Sequence, residues 1–277
     1  MSRNPARRAY FSNMPLEISP DFKISVKGYI IFKRQTIARS CYVYTGGETV
    51  QLVEGKSTVM QEDTARTVQK AELRKAYKFG GESVTFTPEE LSSIKNFGDP
   101  IIRIIGFKPL TMLPVWANLK PATFIYPSED GYVGSTRTFA ALWKSLLKKN
   151  KFALCWHIAR RNAAPTVCAL VPGEEKTNAH GEQHMPPGLW LIRLPFADDI
   201  RSCPEINPTG AKDGPLRASD DLVNKMREVV QQLQLPKAQY DPVRYPNPGL
   251  QWHYKVLQAM ALEEDVPEKA DDATLPK

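Results

Sequence analysis

No stretch of this sequence approaches the ~20 consecutive apolar residues of a membrane-spanning helix, and no apolar run opens it as a secretory leader would. A membrane role is therefore not expected. Cysteine is scarce too: the 4 residues Cys41, Cys155, Cys168 and Cys203 are scattered and form no C-x-x-C pair, which argues against a zinc knuckle or a disulfide framework. A reducing setting is expected, with Cys155 and Cys168 as buried free thiols in two apolar runs able to pair across a hairpin. Histidine is equally sparse. His180 and His184 have H-x-x-x-H spacing, which chelates a metal only on a helix, and the Gly and Pro of "NAHGEQHMPP" make the segment a loop. His157 and His253 lie singly on apolar faces and read as packed, hydrogen-bonded side chains. No metal or cofactor is expected, and no local Ser-His-Asp or Cys-His signature supplies a catalytic residue. Asp198 and Asp199 follow an apolar run and mark a domain end more simply than an acid/base pair.

What is present is ordinary globular composition, 42% hydrophobic and 24% charged over 277 residues, with an uneven charge. Residues 1–150 hold 22 basic and 13 acidic side chains, a net +9, whereas 151–277 hold 15 and 17, a net −2. A basic half beside a slightly acidic one suggests a polyanion surface joined to a region with another task.

The apolar pattern gives strands at "KISVKGYIIF" and "SCYVYT", then at "IIRIIGF", "TMLPVWA", "ATFIYP", "KFALCWHIA", "TVCALVP" and "GLWLIRLPFA". Many strands with short turns argue for a β-barrel or sandwich. Between Arg34 and Phe79 the chain turns polar and charged with only short β-prone pieces. As a β-ribbon, each limb of about 20 residues would reach ~65 Å at ~3.3 Å per residue; the ordinary alternative is a mobile surface insertion. Thr87, Pro88 and Glu90 form a capping box opening a short helix. Residues 136–150 space Phe139, Leu142, Trp143, Leu146 and Leu147 on one helical face, with Lys144, Lys148 and Lys149 near the end where the helix dipole favours cations. After Pro195 the sequence becomes rich in Pro, Gly and Asp. Two amphipathic helices follow, 219–235 opened by Ser219 and 248–264 opened by Pro248. Their connectors are long and proline-rich, which favours an arm that buries its apolar stripes on a partner.

"VEGKST", residues 53–58, contains the Gly-Lys-Ser of a phosphate-binding loop. A working loop needs an earlier glycine to turn the backbone amides toward the phosphates and a following helix whose N-terminus faces the anion. Val50 stands where that glycine belongs, and β-branched residues follow, so nucleotide hydrolysis is not expected. Lys56 is instead one cation among Arg39, Arg66, Lys70, Arg74, Lys75 and Lys78.

At "GFKPL" (106–110), "IARRNAAPTVCALVPGEE" (158–175), "PPGLWLIRLPFADDIR" (186–201) and "ATLPK" (273–277), the chain resembles the Ku family, in particular the smaller of the two eukaryotic subunits. The resemblance implies a mainly β fold with a helical arm (α+β). A Ku-type β-barrel would occupy 1–195 with a β-ribbon bridge inserted at about 34–80, and 196–277 would form a C-terminal α-helical arm. It implies an obligate heterodimer with the larger Ku subunit, forming a ring that threads onto double-stranded DNA ends without regard to sequence. Double-strand break repair by non-homologous end joining, telomere maintenance, a nuclear location and recruitment of ligase and kinase machinery follow from the same resemblance. It also implies that an N-terminal α/β domain and a small C-terminal DNA-binding domain of the full subunit lie outside this sequence. Family members bear the label of ATP-dependent DNA helicase, which the incomplete phosphate loop does not support, and a lyase activity, whose residues belong to the N-terminal domain.

Matched onto this sequence, the resemblance implies phosphate-contacting cations at Arg7 and Arg8 by the barrel entrance and at Lys33 and Arg34 by the ribbon root. Lys56, Arg66, Lys70 and Arg74 fall on the bridge, and Lys95, Lys108, Arg160, Arg161 and Arg201 around the channel. Partner contacts are expected from Leu222, Met226, Val230, Leu233, Trp252 and Leu257.

Overall fold

The structure, a computed structural model, describes residues 9–177, 181, 183–202, 218–234, 240, 245–269, 272 and 275. Two compact units divide the chain: Met1–Lys33 with Gly55–Arg201, and Arg34–Glu54 with Ser202–Lys277.

In chain order the strands are β1 (Phe11–Ser19), β2 (Phe22–Ile30), β3 (Tyr42–Tyr44), β4 (Gln51–Val53), β5 (Val59–Met60), β6 (Thr67–Val68), β7 (Lys75–Phe79), β8 (Glu82–Phe86), β9 (Ile101–Pro109), β10 (Thr123–Ser128), β11 (Lys151–Ile158), β12 (Thr166–Gly173), β13 (Lys176–Thr177), β14 (Gln183–Met185) and β15 (Gly188–Arg193). The helices are α1 (Pro88–Ile94), α2 (Ser135–Lys148), α3 (Asp220–Gln232) and α4 (Pro248–Leu262).

In the first unit seven strands close a barrel in the order β1-β2-β10-β15-β12-β11-β9. Alternation drives closure, because Leu16, Val26, Ile102, Ile125, Leu170 and Leu189 project from successive strands into one shared core and are each fully buried. The seam is the parallel pairing of β1 with β9, Leu16 opposite Ile102 and Glu17 opposite Arg103. Glu17 is nearly buried there. Its carboxylate accepts from Arg103 Nε at 2.6 Å and lies 3.5 Å from Lys23 Nζ. The Arg103 hydrogen bond, opposed by desolvation, holds the Glu17 carboxyl below its ordinary range and keeps it ionised at the closing strand pair.

α2 joins the same core through Phe139 and Leu146, and Trp143 Nε1 donates to the Gly173 carbonyl at 2.8 Å. Its N-cap is Gly134, at φ 87°, where no side-chain cap is available. The Glu129 carboxylate substitutes by accepting from the Gly134 and Thr136 N–H groups at 2.7 and 2.8 Å. Buried Ser135 accepts from the Ser25 N–H at 2.9 Å and donates to the Tyr132 carbonyl, pinning the helix start to β2. The capping box of α1 forms as its sequence requires: Thr87 Oγ1 accepts from the Glu90 N–H at 3.2 Å, and the Glu90 carboxylate accepts from the Thr87 N–H at 2.8 Å.

Two expectations need correction, and one strand lies outside those that the apolar pattern predicts. "TMLPVWA" is not a strand but two 3-10 turns, Leu110–Met112 and Val115–Ala117, because Pro109 and Pro114 remove donors and set the turn dihedrals. Residues 11–19, which carry no clean alternation, form the first barrel strand; Asn13 adopts a positive φ of 56° and the register with β2 shifts between Phe11 and Met14. His157 is packed as expected, yet it is not hydrogen-bonded at both nitrogens: its Nε2 is buried without a partner among the described residues, and Nδ1 lies 4.0 Å from Cys168 Sγ. Cys155 and Cys168 stand directly opposite on β11 and β12, both free and buried, and desolvation raises both thiols so that neither is a ready thiolate. His180 lies outside the described residues, as does the side chain of His184.

Burial lowers the His157 pKa from 6.5 to about 4, with the Arg193 charge a secondary cause. The unfolded chain takes up this proton first, so the stability that the neutral ring supports is complete above pH 6.5 and is lost as pH falls toward 4. At 1.36 kcal/mol per unit the loss is on the order of 3 kcal/mol. His157→Phe is expected to remove it, and thermal unfolding between pH 7 and pH 4 measures the difference. An identical acid limb in the variant would mean that the ring is solvated in the native state.

In the second unit β3 pairs antiparallel with β4, and every residue of both is exposed. α3 begins at Ser219, whose Oγ accepts from the Leu222 N–H at 3.4 Å, and α4 at Asn247, whose Oδ1 accepts from the Leu250 N–H at 3.1 Å. No residue of α3 is buried. Ala259 is the one buried residue of α4.

Candidate nucleic-acid interface

The segment 55–86 departs from the barrel without a core of its own. β5 pairs with β6 and β7 with β8, and only Val68 and Phe86 among these strands are even partly covered. The β7–β8 turn uses Gly80 and Gly81 at φ 60° and 91°, the pair of positive dihedrals that lets a two-residue hairpin follow strand twist. In place of limbs of about 20 residues, the pairing here comes in short pieces. Exposure suits cations: Lys56, Arg66, Lys70 and Arg74, with Lys75 and Lys78 beside them, all face solvent. Arg66 has a local partner, donating from Nη2 to Glu72 Oε1 at 3.1 Å, and both side chains are exposed. Such a pair is worth little and yields readily to a phosphate.

The Gly-Lys-Ser segment lies between two short strands. The strand before it, β4, is fully exposed, and the next element after it in the chain is the two-residue strand β5, not a helix. A phosphate-binding loop instead runs from a buried strand into a helix N-terminus, a different order of elements.

A second group of cations meets on the barrel. Lys95 is the C-cap of α1, and Arg161, in the β11–β12 turn, reaches Asp99 just beyond α1 at 4.0 Å, which brings Lys95, Arg160 and Arg161 to one region. Lys108 is exposed near the end of β9, and Lys33 is exposed beyond β2. Arg201 is turned back on its own chain, with Nη1 donating to the carbonyls of Asp198 and Ile200, so its guanidinium is partly committed. Arg34 belongs to the second unit and is exposed there; Arg7 and Arg8 lie outside the described residues.

On the arm helices, Leu222, Met226, Val230 and Leu233 repeat at helical spacing and are 51%, 53%, 64% and 72% exposed, an apolar stripe with no cover among the described residues. In α4, Leu257 is exposed whereas Trp252 is half-buried, on the same side as Val256 and Ala259. Among the described residues no three His, Cys, Asp or Glu side chains are grouped to hold a metal ion, and no helix is long and apolar enough to cross a membrane.

Two family models match the chain. The family model described as the Ku70/Ku80 beta-barrel domain matches residues 18–224, and that of the Ku70/Ku80 C-terminal arm matches residues 239–277. A protein of Coccidioides immitis called ATP-dependent DNA helicase II subunit 1 is 59% identical over 276 residues, covering 100% of this chain and 42% of its own length. A protein of the same name from Emericella nidulans is 59% identical over 276 residues, covering 100% and 43%, and one from Schizosaccharomyces pombe is 37% identical over 271 residues, covering 98% and 43%. The chain thus spans about two fifths of the length of these curated relatives. With the barrel model matching residues 18–224 and the arm model residues 239–277, in that order, the chain belongs to the Ku family.

Proposed function

We propose that this chain is the core of one subunit of a ring-shaped heterodimer that holds double-stranded DNA ends without reading their sequence. The observation that carries the reading is the set of solvent-facing cations on a coreless insertion, in a chain matched by the family models over both barrel and arm. Phosphate contacts position a protein on a duplex but carry no sequence information, so a surface of lysines and arginines without a recognition helix binds all sequences alike. The larger Ku subunit is the partner that the uncovered stripes of α3 and α4 require. Closing a ring then makes release depend on sliding off an end, and residence time comes from topology. Double-strand break repair by end joining and telomere maintenance in the nucleus are the settings in which such a clamp acts, with the joining ligase and kinase machinery recruited to it.

The relatives' names include an ATP-dependent helicase. The exposed, helix-free surroundings of Lys56 favour a scaffold over a motor. The test compares a linear duplex with a covalently closed circle of matched length, with and without the larger subunit. The heterodimer is expected to load on the linear form alone. Equal loading on the closed circle would overturn the threading reading.

A further inference from the structure

We propose that the end of α2 and the start of β11 form an additional phosphate-binding rim, built from Lys144, Lys148, Lys149 and Lys151, that takes the backbone of a DNA duplex. From Gly131 to Gly173 the sequence contains seven basic side chains and no Asp or Glu. All four rim lysines are exposed, and none lies in an ion pair among the described residues. Lys144 and Lys148 stand one turn apart, about 6 Å along the axis at ~1.5 Å per residue, where like charges repel each other.

The helix dipole explains cations in the last turn, Lys148 and the C-cap Lys149. It does not explain Lys144, a turn earlier, or Lys151, which is already on β11. Nor are these side chains needed to cap the helix, since the Lys149 N–H closes the turn on the Ser145 carbonyl at 3.0 Å. Lys144 and Lys148 lie on the face of α2 opposite Phe139 and Leu146, the residues that pack on the barrel, so these two have no core role.

Local hydrogen bonding holds the rim in place. The Leu110 N–H donates to the Asn150 carbonyl at 2.9 Å, and β11 pairs with β9 so that Lys151 lies opposite Pro109 and Phe152 opposite Lys108. Lys148, Lys149 and Lys151 therefore gather at the same end of the β9–β11 ladder as Lys108, a cation expected to contact phosphate. An external polyanion relieves the repulsion that no side chain of this segment neutralises. A duplex, with one charge per ~1.7 Å of axis, matches a row of cations better than an isolated phosphate does.

This inference rests on the duplex-binding reading above, and one experiment separates the two. In the complex with the larger subunit, all four lysines are changed to Gln, and in a second variant all four to Arg, with thermal unfolding checking that α2 stays packed. The slope of log affinity against log salt is measured on a linear duplex. At ~0.9 per neutralised phosphate, the Gln variant is expected to flatten that slope by about 2 to 4, and the Arg variant to keep it. An unchanged slope in the Gln variant, with wild type binding normally, overturns the rim and leaves the clamp reading standing. Inorganic tripolyphosphate is titrated in parallel. If it binds wild type and not the Gln variant while the duplex slope is unchanged, the rim holds a small polyphosphate and the duplex assignment is overturned. A wild-type complex without duplex binding would overturn both.

Discussion

Alanine at Lys56, Arg66, Lys70 and Arg74 together is expected to weaken duplex binding by the heterodimer on every sequence alike and to flatten the salt slope by about 3 to 4, at ~0.9 for each phosphate left without its cation. Such a change is large. A slope lower by 3 means that a tenfold change in salt shifts affinity by about a thousandfold less than before. The figure rests on exposure: all four side chains face solvent, on a segment whose strands bury nothing, so their removal leaves the barrel core intact. Arg66 decides between the ends of the range. Its pairing with Glu72 at 3.1 Å must be exchanged for the phosphate, and because exposed pairs contribute roughly 0–1 kcal/mol the exchange costs little. Measured on duplexes of unrelated sequence, the loss must be uniform. An unchanged slope would mean that these cations face solvent in the complex too.

The barrel was legible in the sequence where its physics is local. Runs such as "KFALCWHIA" and "TVCALVP" pair as β11 and β12 with Cys155 opposite Cys168, because β-branched and aromatic alternation reports directly on a half-buried strand. Thr87 and Glu90 announced α1 because a capping box is a contact between residues three apart. Closure was not legible. It depends on β1, where Pro15 and the positive φ of Asn13 blur the alternation, and on a parallel pairing with β9 across the whole insertion, a contact that no window of sequence contains. "TMLPVWA" failed in the opposite way, since its apolar residues satisfy a strand pattern while its prolines forbid the ladder; Val115 and Trp116 end 94% and 65% exposed.

The site divides along the same line. The expectation that Lys56 serves no nucleotide rests on Val50 and on the β-branched residues after the Gly-Lys-Ser, and in the structure two exposed short strands flank the segment. Only the family resemblance placed Lys95 with Arg160 and Arg161; no local pattern does, because the contact of Arg161 with Asp99 joins the β11–β12 turn to the stretch just beyond α1, far apart in the chain. The lysines ending α2 were visible as a charge run. Their place at the same end of the β9–β11 ladder as Lys108 was not, since it depends on the register of β11 with β9.

The arm gives the second large effect. Val230→Asp together with Leu257→Asp is expected to abolish heterodimer formation while leaving the barrel folded. The two costs differ in scale. Within this chain Val230 and Leu257 are 64% and 47% exposed, so a polar replacement at each belongs to the class of surface substitutions that usually stay within about 0.5 kcal/mol, with a few tenths more for aspartate inside a helix. Against a partner that covers the stripe, truncation alone costs roughly 2 to 5 kcal/mol per side chain, and an unpaired carboxylate adds its desolvation. Two such sites remove most of the binding energy of an ordinary interface, because ~8 kcal/mol corresponds to a micromolar complex. Asn224→Asp supplies the control: it adds a charge to α3 away from the stripe, at a residue that accepts from Arg227 Nη1 at 2.8 Å, and it should leave assembly intact. Size-exclusion chromatography with the larger subunit reads the outcome. Loss of co-elution in the double variant, with retention in the control, places the stripe at the subunit contact, and DNA-end binding should fall with it because half a ring cannot encircle a duplex. A double variant that still co-elutes as a stable heterodimer would mean that the partner grips other surfaces, and α3 and α4 would have to be reassigned to a different contact.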